Sequence, residues 1–247
     1  MNEYDETGMF RWADCTRGRL RELLPDALVV LPIGATEQHG PHLPTGTDGL
    51  LAGTVAERAV LAACPRSPRP LVLAPILPFG ASEHHLPFGG TLSLSVETAI
   101  AVLADLARSV VQAGGRRMVL VNGHGGNRGV CHAAASAVAA RHGPTVAVVH
   151  YWELLAPAPE IPGHAGEFET SMLTWLRPDL VIDPPTRQGP EPLPVSPGLE
   201  LHEAAGWLLI DGYTDHPGRA SAERGRSWLE DCVRTLADRL VELAGRA

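Results

Sequence analysis

A chain of 247 residues with 45% hydrophobic and 19% charged residues is long and apolar enough to bury its own core, which excludes a disordered or fibrous protein. All 20 basic residues are arginine, so enzymes that depend on a Schiff-base, P-loop or pyridoxal-phosphate lysine are excluded as well. The net charge of -8 argues against a nucleic-acid-binding surface, which would need a basic stripe.

Apolar runs alternate along the chain with helical patterns, which is typical of βαβ units with a parallel sheet. The runs predict strands at about 27–33, 71–76, 117–122 and 145–150. Apolar residues spaced three and four apart among Ala, Leu, Glu and Arg predict helices at about 48–63, 95–113, 127–141, 167–176 and 220–243. We therefore expect an α/β fold with a mainly parallel central sheet flanked by helices.

A proline-dense segment at 183–198 is too rich in proline for a helix or a central strand. We expect an ordered surface loop there, and the alternative is a linker between two domains. Because only a short stretch of chain follows this segment, we predict one domain over residues 1–247.

The cysteine pattern and the N-terminus bear on the compartment. The four cysteines are far apart and form no Cys-x-x-Cys pair, which indicates reduced thiols rather than a disulfide framework or a zinc knuckle. Residues 1–10 are acidic and contain no signal-peptide core, and no apolar run reaches the length of a membrane span. We predict a cytoplasmic protein.

Metal-binding residue types concentrate in three loops that follow predicted strands, where open α/β sheets bind their ligands. The loops span 34–48, 122–127 and 163–171, and together they contain five carboxylate or imidazole donors: Glu37, His39, Asp48, His124 and Glu169. A single histidine is more often a solvated or hydrogen-bonded loop residue, but three loops at neighbouring strand ends point to one centre. The set suits two divalent ions better than one, because a carboxylate can bridge ions about 3.5 to 4 Å apart.

Three other features have rival interpretations. The glycines around His124 are also compatible with an anion-binding loop, although the Rossmann spacing and a lysine are missing; Asn127 is expected to cap the following helix. The segment 78–91 is expected to form a pocket wall or lid, with Ser82 as a substrate contact, since no nucleophile elbow surrounds this serine. Trp152 is a second candidate substrate contact, with core packing as the alternative. His42 and His85 stay unassigned, with support of a metal ligand as one role open to each.

Three motifs carry a resemblance to a known family. They are PIGATEQHGPHLP at 32–44 with Asp48, NGHGGN at 122–127 and HAGEFETS at 164–171. In this order they resemble the creatininase (creatinine amidohydrolase) family over the chain from about residue 8 to its end. The resemblance implies a three-layer α/β sandwich, a two-metal centre, hydrolysis of amide-type C–N bonds and a homo-hexamer.

The resemblance also implies roles for individual residues. Glu37 and His124 would hold one metal, His39 the other, Asp48 would bridge them, and His164 would handle the proton. The list of ligands departs from the family at one position.

In creatininase proper, a glutamate two residues after the motif histidine completes the second metal site, but this chain has Gly126 there. Glu169 is therefore the candidate replacement ligand, and creatinine becomes a doubtful substrate. The Gly-His-Gly-Gly-Asn version resembles the wider family, which includes a formamide hydrolase of flavin and deazaflavin biosynthesis and a peptidase that trims the mycofactocin precursor.

These observations combine into one functional prediction. The chain is expected to be an amidohydrolase with two divalent ions, Zn, Mn or Fe, in which a metal-activated water attacks a small or cyclic amide. Either His164 or Glu167 then protonates the leaving nitrogen. The alternatives are a peptidase or deformylase of a cofactor pathway and, from another class, a non-catalytic metal-binding scaffold.

Overall fold

The computed structural model describes residues 9–155, 163–186 and 201–246, and within them a five-stranded parallel sheet forms the centre. Its strands are β1 (Met9–Arg11), β2 (Leu28–Ile33), β3 (Leu71–Leu73), β4 (Arg117–Asn122) and β5 (Thr145–His150). The order across the sheet is β1-β3-β2-β4-β5, and every pairing is parallel. The predicted α/β class with a parallel central sheet is confirmed.

Seven α-helices accompany these strands in the described parts of the chain. They are α1 (Arg17–Leu23), α2 (Thr47–Ala63), α3 (Val96–Gln112), α4 (Arg128–His142), α5 (Glu167–Leu176), α6 (Ala204–Leu209) and α7 (Ala222–Gly245). Local sequence explains several ends: the hydroxyls of Ser95 and Ser221 accept hydrogen bonds from the third backbone amides of α3 and α7, and Gly143 ends α4 in the left-handed conformation.

The five helices expected from periodicity are present with their ends within a few residues. Three short elements were not predicted from the sequence: β1 with three residues, α1 with seven and α6 with six. One predicted strand is also too long, since β3 ends at Leu73. Pro75 follows two residues later and has no amide hydrogen to continue the ladder.

The sheet is covered on both faces, so its middle strand β2 is apolar and buried at every position. Successive side chains of β2 point to opposite sides: Leu28 and Val30 pack with α2, α5 and α7, whereas Val29 and Leu31 pack on the side of α3 and α4. Helices therefore cover the sheet in two layers, which gives the three-layer architecture.

Two neighbouring strands place the site. β2 and β4 pair in register from Leu28 to Ile33, so the loops that follow them start side by side at the carboxyl edge. Gly34 comes directly after β2, and a Cβ there would lie 2.6 Å from the backbone nitrogen of Gly49. Only glycine fits, and its absence of a side chain lets the first turn of α2 approach the end of β2.

Other sequence predictions fall partly outside the described residues. In the proline-dense segment, 183–186 form neither helix nor strand, and the remainder lies outside them. No disulfide joins any of the four cysteines. None of the helices in the described ranges is long and apolar enough to cross a membrane.

Candidate metal centre

The structure brings all five predicted metal ligands into one buried cluster at the carboxyl edge of the sheet. Glu37 and His39 lie on the loop after β2, and His124 lies on the loop after β4. Asp48 lies in the first turn of α2, and Glu169 lies in the first turn of α5. Each of these residues is at most 6% exposed. A concentration of carboxylates and imidazoles this far from water needs a partner of opposite charge.

Asp48 lies at the middle of the cluster. Its Oδ1 is 3.1 Å from Nε2 of His39, and its Oδ2 is 3.1 Å from Nδ1 of His124. Beyond these rings lie two further carboxylates: Glu37 Oε1 is 3.1 Å from Nδ1 of His124, and Glu169 Oε2 is 3.9 Å from Nε2 of His39. The arrangement is two imidazole–carboxylate pairs joined through one aspartate.

Three histidines share one hydrogen-bond pattern, in which the ring nitrogen remote from the carboxylates faces a backbone carbonyl. Nδ1 of His39 lies 3.0 Å from the carbonyl of Glu37, and Nε2 of His124 lies 3.1 Å from the carbonyl of Ala81. Nε2 of His164 lies 2.8 Å from the carbonyl of Gln38. A carbonyl only accepts, so a neutral ring carries its hydrogen on that remote nitrogen. The other nitrogen then turns a lone pair toward the carboxylates, which is how ligand histidines are held in metal proteins.

The residues present fit a divalent metal ion. Both oxygens of Glu37 and Oδ2 of Asp48 are buried without any hydrogen-bond donor, although ring nitrogens lie about 3 Å away. Lone pairs that face carboxylate oxygens repel unless a cation lies between them. Imidazole nitrogens and carboxylate oxygens are the ligands that Zn, Mn and Fe accept.

The pKa values show the same demand for positive charge. Burial opposes a charged ring at His39, but the carboxylate of Asp48 outweighs it and raises the pKa of His39 to about 10. Burial also opposes the charge of Asp48, yet His39 and His124 lower its pKa to about 2. The pKa of Glu169 rises to about 8 because burial dominates there. Without a metal, protons on the imidazoles take the place of the cation.

The two predicted proton donors lie in different surroundings. His164 is buried with its Nδ1 3.3 Å from Oε1 of Glu37, and burial together with His39 and His85 holds its pKa well below the usual range. Glu167 points away from the cluster, because its carboxylate pairs with Arg224 at 2.9 Å. Of the two predicted proton donors, the structure therefore brings only His164 to the predicted metal ligands.

The two predicted substrate contacts also differ in position. Ser82 is buried, and its hydroxyl is 3.2 Å from Nε2 of His124, on the side of the ring that faces away from the carboxylates. Trp152 is buried in the main core and stacks on His150 with ring centroids 5.3 Å apart. For Trp152 the structure shows the core packing that the sequence left open.

Asn127 does not cap α4 as the sequence suggested, because its side chain makes no cap hydrogen bond. Its amide instead accepts from the nitrogen of Ala81 at 3.0 Å and donates to the carbonyl of Gly34 at 3.0 Å. Those two bonds tie together the loops that follow β2, β3 and β4. Asn127 thereby fixes the loops that carry the ligands.

Residues that the sequence analysis did not assign form the wall opposite the ligands. The turn Glu83–Phe88 places His85 within 4.3 Å of the ring of His164, and burial lowers the pKa of His85 to about 3. Trp207 on α6 lies 4.6 Å from His85 and 5.4 Å from His164, between ring centroids. The predicted pocket wall at 78–91 thus does lie beside the cluster, whereas nothing in the sequence around Trp207 indicated that this tryptophan joins it.

The parallel sheet and the carboxylate–imidazole cluster at its carboxyl edge define an α/β protein with a candidate metal site. Comparison with known proteins agrees, since the profile of the creatininase family, described as creatinine amidohydrolase, matches residues 13–240. The chain belongs to the creatininase family, as its motifs predicted, and it is a hydrolase that acts on C–N bonds.

Two named relatives align with most of the chain and differ in their activities. The mycofactocin precursor peptide peptidase of Mycobacterium tuberculosis strain H37Rv is 36% identical over 219 residues, which are 85% of this chain and 84% of the relative. The creatinine amidohydrolase of Pseudomonas putida is 30% identical, over 88% of this chain and 90% of the relative. A solved structure named "Creatininase Mn" superimposes with a TM-score of 0.77 at 27% identity and covers 96% of this chain and all of its own.

Proposed function

We propose that the chain is a dinuclear-metal amidohydrolase that cleaves an amide-type C–N bond. The observation that carries the proposal is Asp48, whose two oxygens each lie 3.1 Å from a different imidazole, so that one carboxylate is shared by two ligand sets. Such a shared aspartate is what two adjacent ions require.

Each ion has its own ligands in this proposal. Glu37 and His124 would hold one ion, His39 and Glu169 the other, and Asp48 both. Glu169 replaces the family glutamate at position 126. Support comes from Gly126, where a Cβ would lie 2.4 Å from the carbonyl oxygen of Ala81, so no carboxylate can enter from that position.

The chemistry then divides between the ions and the protein. Bound Zn, Mn or Fe ions supply a water of lowered pKa and polarise the amide carbonyl. His164 moves the proton at its Nδ1, because its Nε2 is committed to the carbonyl of Gln38 at 2.8 Å. The proton then passes from that Nδ1 to the leaving nitrogen, because burial and the neighbouring His39 and His85 disfavour the imidazolium form and hold the pKa of His164 low.

A peptide is the substrate class we place first, ahead of creatinine. The relative named as a mycofactocin precursor peptide peptidase is 36% identical, against 30% for the creatinine amidohydrolase. Turnover of a mycofactocin precursor peptide and of creatinine by the same holoenzyme distinguishes the two. From the family resemblance we further propose a single domain over residues 1–247. We also propose a homo-oligomer, and size-exclusion chromatography with light scattering measures the mass of that assembly.

Metal stoichiometry tests the dinuclear centre directly. We expect about two ions per chain in protein purified without a metal-chelating tag, the loss of both in Asp48→Ala, and the loss of one in Glu169→Gln. Asp105→Ala is the matched control, because this carboxylate lies on the exposed face of α3. Absence of metal after addition of Zn or Mn would instead support the non-catalytic scaffold.

A further inference from the structure

His85 is a buried histidine with an unsatisfied nitrogen at the metal centre. The side chain is 1% exposed, and the ring is held between His164, with centroids 4.3 Å apart, and Trp207 at 4.6 Å. Its Nε2 has no hydrogen-bond partner and lies 3.9 Å from Oε1 of Glu37, beyond hydrogen-bond distance. A buried polar atom that faces a reaction centre without a partner is a candidate substrate contact.

The amide of Gln38 determines which nitrogen of His85 carries hydrogen. Its Nε2 lies 2.6 Å from the carbonyl oxygen of Gly212, and its Oε1 lies 2.9 Å from the backbone nitrogen of Gly40. The opposite orientation would place oxygen against oxygen and N–H against N–H, so two backbone groups fix the amide. The same amide nitrogen lies 2.8 Å from Nδ1 of His85 and 3.1 Å from Nε2 of His164. Because that nitrogen of His164 directs its own hydrogen to the carbonyl of Gln38, the second amide hydrogen is donated to His85.

A ring nitrogen that accepts a hydrogen bond has no hydrogen of its own, so neutral His85 carries its hydrogen on Nε2. This is the reverse of His39, His124 and His164, whose remote nitrogens face carbonyls. Those three present lone pairs to the centre, whereas His85 presents an N–H. A protonated nitrogen cannot ligate a metal, which separates His85 from the ligands despite its proximity to Glu37.

We infer that Nε2–H of His85 is a hydrogen-bond donor subsite for the carbonyl oxygen of the amide being hydrolysed. The inference rests on the proposed function, since it assigns the oxygen of that substrate. A fixed neutral donor binds such an oxygen more strongly as charge develops on it. The neighbouring rings of His164 and Trp207 hold the imidazole in place, so little reorganisation is needed on reaction.

Two variants of His85 in the metal-loaded enzyme test the donor role. His85→Ala should keep the full metal content and lower kcat/KM for the cleaved amide on the order of 10² to 10³, the effect of removing one oxyanion donor. His85→Gln places an amide N–H near the position of Nε2 and should recover part of that loss. His142→Ala, an exposed histidine at the end of α4, is the control and should retain wild-type kinetics.

Two outcomes of that experiment overturn the inference. Loss of metal from His85→Ala would make His85 a ligand, and unchanged kcat/KM would remove it from the reaction. Retained metal also shows that the turn and the cluster still fold in the variant. Recovery in His85→Gln separates a donor from a residue that only fills space.

A spectrum tests the tautomer independently of turnover. In Zn-loaded protein with ¹⁵N-labelled histidine, long-range ¹H–¹⁵N correlations should show His85 with hydrogen on Nε2, with its signals assigned by their loss in His85→Gln. Hydrogen on Nδ1 would overturn the inference. Wild-type holoenzyme that cleaves neither creatinine nor the precursor peptide would count against the proposed function, and the spectrum would still decide the state of His85.

Discussion

The two sides of the site are built in different ways. We call the ligands from the loops after β2 and β4 and from the first turns of α2 and α5 the floor, and we call the turn Glu83–Phe88 with Trp207 the roof. In the floor, each imidazole is fixed by a backbone carbonyl and faces carboxylates. In the roof, rings pack on one another, and the amide of Gln38 connects His85 to the carbonyl of Gly212. The floor supplies charge, and the roof supplies orientation.

The largest effect is expected at His164, which touches both sides. His164→Ala should keep the metal content of the wild type and lower kcat by roughly 10² to 10⁴, because it removes the group that we propose moves the proton. Metal analysis and steady-state kinetics on the same preparation check this. His142→Ala, an exposed histidine at the end of α4, should be indistinguishable from wild type. Loss of metal from His164→Ala would move this residue into the floor.

The pH dependence of metal affinity tests the floor separately from the roof. Without metal the pKa of His39 is raised to about 10, so the ring is protonated at neutral pH and must release that proton when an ion binds. Affinity should therefore rise about tenfold per pH unit for each proton released and level off above the raised pKa. Calorimetry in buffers of different ionisation enthalpy measures the protons released. A pH-independent affinity between pH 6 and 8 would contradict the raised pKa.

Gly212→Ala should disturb the roof while leaving the floor unchanged. Gly212 has a φ of +71°, and a Cβ there would lie 2.8 Å from Oε1 of Gln38. We expect a loss of about 1–2 kcal/mol in stability from the left-handed backbone. We also expect the Gln38 amide to shift away from His85, with kcat/KM reduced roughly tenfold and metal content unchanged.

Gly206→Ala on α6 is the matched control for this change. Its added Cβ would meet only Glu203, at 3.6 Å, in ordinary contact, and the helix favours alanine over glycine. Thermal melts and kinetics of the two variants should therefore diverge. Equal behaviour of both variants would show that the contact between Gly212 and Gln38 has no part in the reaction.

The smallest effect is expected at Trp207. Trp207→Ala should raise KM roughly two- to tenfold with little change in kcat, because aromatic contacts of this kind contribute about 0.5–1.5 kcal/mol. Leu209→Ala, at a residue that is 74% exposed on the same helix, should leave KM unchanged. A larger change in kcat than in KM would mean that the tryptophan holds His85 and His164 in place for the chemical step.

The residues of the floor could be predicted from the sequence, because their position follows from the topology of the sheet. The apolar runs of β2 and β4 predict strands of one parallel sheet, and the carboxyl ends of such strands lie at the same edge. That placement brings Glu37, His39 and His124 to one side of the sheet, and the structure shows that the two strands are also neighbours. The motif carried the same residues independently. Periodicity of the long helices likewise predicted α2 with Asp48 in its first turn.

The roof could not be predicted from the sequence, because its elements are short and its contacts join distant parts of the chain. α6 has six residues, too few to show a period, and Trp207 meets the turn Glu83–Phe88 from a distant part of the chain. The same limit explains Glu167. On a helix, residues two apart point about 200° apart, so only one of Glu167 and Glu169 can face the cluster, and the sequence does not say which.

Gly126 restricts the routes by which members of this family exchange one ligand set for another. A side chain at 126 would lie 2.4 Å from the carbonyl of Ala81 and 2.5 Å from Nε2 of His124, which itself holds an ion in the proposed centre. A first mutation to glutamate would therefore displace a working ligand before its own carboxylate was useful. The backbone at Ala81 must move first, so the order of substitutions matters. In the proposed centre, the two ways of completing the second metal site are therefore separated by a variant in which His124 is displaced.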